Sequence, residues 1–75
     1  MTADTFNRFH RIRPFQPFAM HLADGRAFDV RHPDAAVPSP AGRTVSVLNP
    51  EGLIEVIDVL LVTSLRPLPS SRSRR

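Results

Sequence analysis

Hydrophobic and polar positions alternate with a period of two over long parts of this chain. Phe18, Met20 and Leu22 alternate with Ala19, His21 and Ala23, and Phe28 and Val30 alternate with Asp29 and Arg31. That period places every second side chain on one face of a strand. Asp24-Gly25 between the two runs marks a hairpin turn. Register then decides the loop length. A two-residue loop would set Met20 against Asp29 and Leu22 against Ala27, mixing the faces, because directly opposed residues share a face. A three-residue loop, Ala23-Asp24-Gly25, sets Met20 against Phe28 and Phe18 against Val30, with Gly25 in the left-handed position where it is least strained. The three-residue loop is expected.

A third strand is predicted over Thr44 to Leu48, with Val45 and Val47 inward and Thr44 and Ser46 outward. Asn49-Pro50-Glu51-Gly52 has the form of a type I turn, with Pro second and Gly fourth. Beyond it lies the greasiest stretch of the chain, Leu53 to Leu65, in which nine of thirteen residues are large aliphatics. Five of those nine are β-branched, which favours extended backbone. The run does not alternate cleanly, so it is expected to be buried on both faces or to contain a bend that switches faces. A strand over Leu53 to Ile57, a 3₁₀ turn over Asp58-Val59-Leu60 and a strand over Leu61 to Arg66 fit it. Leu53, Ile57, Leu60, Leu61 and Ser64 also lie at helical spacing, so a helix over 53–65 is the competing reading. Glu55 and Asp58, with a length of only thirteen residues, exclude a membrane span.

The flanks are simpler. Residues 2 to 13 suit a short amphipathic helix capped by Thr2 or Asp4, with Phe6, Phe9 and Ile12 or Arg13 near one face. Pro14 ends it. So short a helix is marginal alone and requires Phe6 and Phe9 to dock on the sheet. Pro33 ends the second strand, and residues 33 to 42 read as a loop in which Val37 dips inward. The expected architecture is mainly β (α+β). It comprises a docking helix over 1–13, four or five antiparallel strands over 14–67 rolled as a meander into a small open barrel, and a disordered Arg/Ser tail over 68–75.

Two resemblances bear on this. Pro14-Phe15-Gln16-Pro17-Phe18, Leu22-Ala23-Asp24-Gly25-Arg26 and His32-Pro33-Asp34 together resemble a family of short bacterial proteins with a PFxPF…LxDGR…HP pattern and a hydrophobic end. That resemblance spans about residues 12 to 66 and implies no activity. The helix followed by Leu22, Asp24, Gly25 and Phe28 is similar to the first motif of Sm-like small β-barrels. The second Sm motif has no counterpart, since Ile57-Asp58-Val59 stands where an Ile-Arg-Gly-like element is required. The resemblance therefore implies barrel topology and carries no RNA-binding residue.

Composition changes the picture in two places. Seventy-five residues without cysteine form one domain with no disulfide framework and no thiolate metal site. A core of that size seldom supplies more than about 3–5 kcal/mol, so self-association is the expected support. The net charge of +3 belongs to the tail. Arg72, Arg74 and Arg75 account for it, and residues 1 to 71 are neutral overall. A domain built on a nucleic-acid patch carries its charge in its body. The Arg8, Arg11 and Arg13 group is the one cluster a helix can present to nucleic acid. No basic start precedes an apolar run, which points to a cytoplasmic protein.

The chemistry read from residue types is sparse. His21, His32 and Asp34 suggest a His-His-carboxylate metal site, but the hairpin register sets His21 against Ala27 and His32 beyond the ladder. No metal or other cofactor is expected. Cys, Tyr and Lys are absent, no Ser has the glycine flanks of a nucleophile elbow, and no Gly-rich phosphate loop occurs. The expected role is non-catalytic: binding to itself or another protein, with Val59, Leu61, Val62 and Leu65 as the self-association edge. A nucleic-acid-binding barrel using the arginine cluster is the alternative.

Overall fold

The computed structural model describes residues 1–69; of the tail over 68–75 expected to be disordered, Leu68 donates its N–H to Pro17 O at 2.9 Å, and residues 70–75, with Arg72, Arg74 and Arg75, lie outside the described residues. Helix α1 (Ala3–Arg11) opens the chain. The Thr2 side chain accepts from Thr5 N–H at 3.2 Å and caps it. Six strands follow: β1 (Phe18–Leu22), β2 (Ala27–Val30), β3 (Ala36–Pro38), β4 (Thr44–Leu48), β5 (Ile54–Asp58) and β6 (Val62–Pro67). They form two antiparallel sheets of three strands, ordered β2-β1-β6 and β3-β4-β5.

The hairpin reading holds. Phe18 pairs with Val30, Met20 with Phe28 and His21 with Ala27. Gly25, at φ +94°, donates its N–H to Leu22 O at 3.0 Å and closes the three-residue loop. β4 keeps Val45 and Val47 buried, and Gly52 N–H donates to Asn49 O at 2.9 Å across the predicted turn.

Three expectations are corrected. The strands divide into two sheets with no ladder between them, so they do not close a barrel. The segment 33–42 is not all loop. A 3₁₀ turn over Pro33–Ala35 leads into β3, and this shifts the facing by one, so that Ala36 is buried and Val37 is half exposed. Most consequentially, the stretch 53–65 is neither a helix nor buried on both sides.

Its geometry explains its irregular pattern. On β5, Ile57 faces inward, while Ile54 and Val56 face outward. Asp58 accepts from Leu60 N–H at 2.9 Å and caps a 3₁₀ turn over Val59–Leu61, which keeps Val59 inward. On β6, Leu22 of β1 faces Val62 and Met20 faces Leu65, so Thr63 is an extra residue, a bulge. One turn and one bulge thus bring Ile57, Val59, Val62 and Leu65 to the inside at spacings of two and three. The remaining aliphatics are left outside.

Between the sheets lie Met20, Leu22, Val30, Val45, Val47, Ile57, Val59 and Val62, all buried. Phe18, fully buried, is the hub of one end. The rings of Phe6, Phe9 and Phe15 stand 6.1, 5.8 and 5.9 Å from it, the first two edge-on. His10 stacks on Phe6 at 5.8 Å, and its Nε2 lies 2.7 Å from Pro33 O, tying α1 to the turn before β3. This is how a nine-residue helix persists: its apolar side closes the end of the sandwich.

Candidate functional site

The outer faces of the two sheets differ in kind. Along β2-β1-β6, the register aligns Asp29, Ala19 and Arg66 in one row, with Ala19 itself buried between its charged neighbours, and Ala27, His21 and Ser64 in the next. That is an ordinary wet face. Along β3-β4-β5, the outward rows are Thr44-Asp58, Val37-Ser46-Val56 and Leu48-Ile54, the first polar and the other two mostly aliphatic. Val56 is 67% exposed, Ile54 65%, Val37 50% and Leu48 48%. Leu53 and Leu60, beside the ends of β5, are also exposed. Isolated exposed aliphatics are common, but a contiguous sheet face of them marks a contact surface. Among the described residues the one charged side chain on this face is Asp58, and it is occupied in capping Leu60.

β5 also has a free edge. Asn49 N–H donates to Leu53 O and Val59 N–H to Arg43 O, so the hydrogen-bonded pairs between β4 and β5 fall on odd-numbered residues of β5. In an antiparallel ladder these alternate with pairs whose N–H and C=O point the other way. The main-chain groups of Ile54 and Val56 therefore point away from β4, along an unpaired edge.

One charged cluster braces the two sheets beside this edge. Arg26, just past the hairpin loop, reaches Asp24 at 3.0 Å and Glu55 of β5 at 2.8 Å, with its guanidinium 5.5 Å over the Phe28 ring. Asn49 donates to the second Glu55 oxygen at 3.2 Å. The Arg26 hydrogen bond, followed by that of Asn49, holds the Glu55 carboxyl below its usual range. The Arg26 backbone N–H, followed by its side chain, does the same for Asp24. The two carboxylates raise Arg26 in turn, Glu55 foremost. All three are at the surface, so the cluster sets geometry more than stability.

Of the expected edge residues, Val59 and Val62 are buried in the chain's own core, Leu65 packs against it and Leu61 is half exposed. A partner cannot reach the first two side chains. The three arginines expected to meet nucleic acid lie at the surface around α1. Arg8 lies 3.3 Å from Asp4 one turn back, and Arg13 folds over to donate to the carbonyls of His10 and Ile12 at 2.9 Å each. Arg11 shares the outer side of α1 with Arg8. The apolar face itself was within reach of sequence reasoning. Carrying the register across the Asn49–Gly52 turn sets Leu48 against Ile54, on the outward side with Ser46.

Two clefts lie close to this face. One of about 290 Å³ lies between the N-terminus and the end of β5, lined by Thr2, Gly42, Arg43, Asp58 and Leu60. There the Met1 amine donates to Val62 O and the Thr2 hydroxyl to that of Thr5. The other, about 400 Å³, separates β2 from the β4–β5 turn. Among the described residues no three His, Cys, Asp or Glu side chains converge to hold a metal, and no helix is long and apolar enough to cross a membrane. No protein-family model, curated protein or solved structure matches the chain.

Proposed function

We propose that the protein is a non-catalytic interaction module, working in the cytoplasm, whose contact surface is the outer face of β3-β4-β5. The observation that carries this is the contrast between the two sheets: one turns a polar face to water, the other turns Val37, Leu48, Ile54 and Val56. The polar face shows that this chain can present an ordinary strand surface. Keeping a few hundred Å² of aliphatic surface exposed invites aggregation unless a partner covers it. The partner surface is apolar, because the face offers almost no charge to pair. The expected edge at Val59, Leu61, Val62 and Leu65 gives way to this neighbouring face of the same stretch.

A photo-cross-linking residue tests it. Placed at Val56 in the cell, it should form adducts, with a second copy or with another protein; placed at Thr63 on the other sheet, it should not. Adducts in equal yield at both positions, or at neither, would reject the assignment of the face. Nucleic-acid binding through α1 stands second. It uses Arg8, Arg11 and Arg13 and predicts an affinity that falls steeply with salt.

A further inference from the structure

We infer that the occupant of the β3-β4-β5 face is a second copy of the same chain, stacked face to face about a two-fold axis. This rests on the reading of that face as a contact surface and names its partner. Three features of the face fit such a pairing.

The first is charge. Two identical faces meet without like-charge conflict only if they are close to neutral. This one carries Asp58 alone, at the end of β5, with its carboxylate turned to Leu60 N–H.

The second is relief. In the row Val37-Ser46-Val56 the small Ser46 sits between two β-branched residues and forms a hollow. Two residues along, Leu48 and Ile54 form a ridge. A two-fold axis lying between the sheets, running across the strands midway between these rows, carries each row over the other. Leu48 of one copy then fills the Ser46 hollow of its mate, and the converse contact follows by symmetry. Aligned sheet stacking at about 10 Å separation is the geometry this requires.

The third is area. Two strands of five residues and one of three, about 4.8 Å apart and about 3.4 Å per residue, give a footprint of at most about 14 by 17 Å. Two such footprints amount to roughly 500 Å², and the exposed side chains of Leu53 and Leu60 at the rim bring the burial toward about 1,000 Å², the lower limit of a specific interface. That size fits a dimer with a micromolar dissociation constant, and it supplements a core too small to be robust alone. Pairing the free β5 edges instead would join the two faces into one larger uncovered patch, which leaves the apolar surface unexplained.

The test is sedimentation equilibrium of the full chain over a range of concentrations, with Ser46→Arg as the first variant and Leu48→Lys as the second should the first fail to fold. Far-UV circular dichroism checks folding. The wild type should dimerise in the micromolar range, and the folded variant should weaken this at least tenfold. The amides of Ile54 and Val56 should exchange rapidly at all concentrations, since face stacking leaves the edge free. Dimers that survive both substitutions would overturn the proposal, as would edge amides that become protected as the dimer forms. A wild type that stays monomeric up to hundreds of micromolar also overturns it. If that monomer still yields Val56 adducts with a different protein, the interaction-module reading stands and only the second copy is lost; if it yields none, both fall.

Discussion

Phe18 offers the sharpest test of how this fold is held. Its side chain is fully buried and three aromatic rings converge on it within about 6 Å, two from α1 and one from the connector. Truncation to Ala removes a buried ring and leaves a cavity, a loss of about 3–5 kcal/mol. A core of this size supplies about the same amount, so Phe18→Ala should be largely unfolded at room temperature. Phe18→Leu is the informative variant. It keeps most of the volume and gives up the ring-to-ring contacts, each about 0.5–1.5 kcal/mol beyond burial. With repacking, a loss of about 1–2 kcal/mol is expected, lowering Tm by roughly 5–15 °C in a domain this small. The chain has neither Trp nor Tyr, so circular dichroism is the natural readout. A double-mutant cycle with Phe6→Leu should return a coupling of about 0.5–1 kcal/mol, whereas a cycle with Val47→Ala, outside the ring cluster, should return almost none. A Phe18→Leu protein that melts with the wild type, or equal coupling in the two cycles, would refute the idea that the rings of α1 and β1 act as a unit.

Other outcomes follow from local geometry. A Cβ at Gly42 would stand 2.7 Å from Ala3 Cβ at a residue with φ +75°, while Gly25, also at positive φ, has open space. Gly42→Ala should therefore destabilise by more than the roughly 1–2 kcal/mol of left-handed strain expected for Gly25→Ala, read by urea titration. Asn49 accepts from the N–H groups of Glu51 and Leu53 and braces Glu55; Asn49→Ala should cost about 1–2 kcal/mol and raise amide exchange across the β4–β5 turn. Because Asp24 and Glu55 are held below their usual values of 3.8 and 4.5, their contribution is complete above that range. It disappears as pH falls through the depressed folded values. Melting should drop on acidification below about 4.5, modestly for surface groups, and Arg26→Gln should flatten that dependence. An unchanged slope would show that the cluster is not its source.

Much of this fold was legible because short-range rules act within it. The alternation of Phe18, Met20 and Leu22, a glycine able to take positive φ and the requirement that opposed residues share a face were enough to place the β1–β2 register residue by residue. The same local logic located the capped helix, the Asn49–Gly52 turn and the break at Asp58. Ala36 and Val37 show where it fails: one 3₁₀ turn, whose length no local signal set, exchanges which of the two is buried. What the sequence by itself determined is the β1–β2 and β4–β5 hairpins and the break after β5, because period and turn chemistry operate over a few residues. Only tertiary structure decided that the strands split into two sheets, and so which half of the Leu53–Leu65 aliphatics would be covered. Hydrophobicity is a property of each side chain, but burial depends on whether another layer lies over it, and here the chain supplies that layer on one side only.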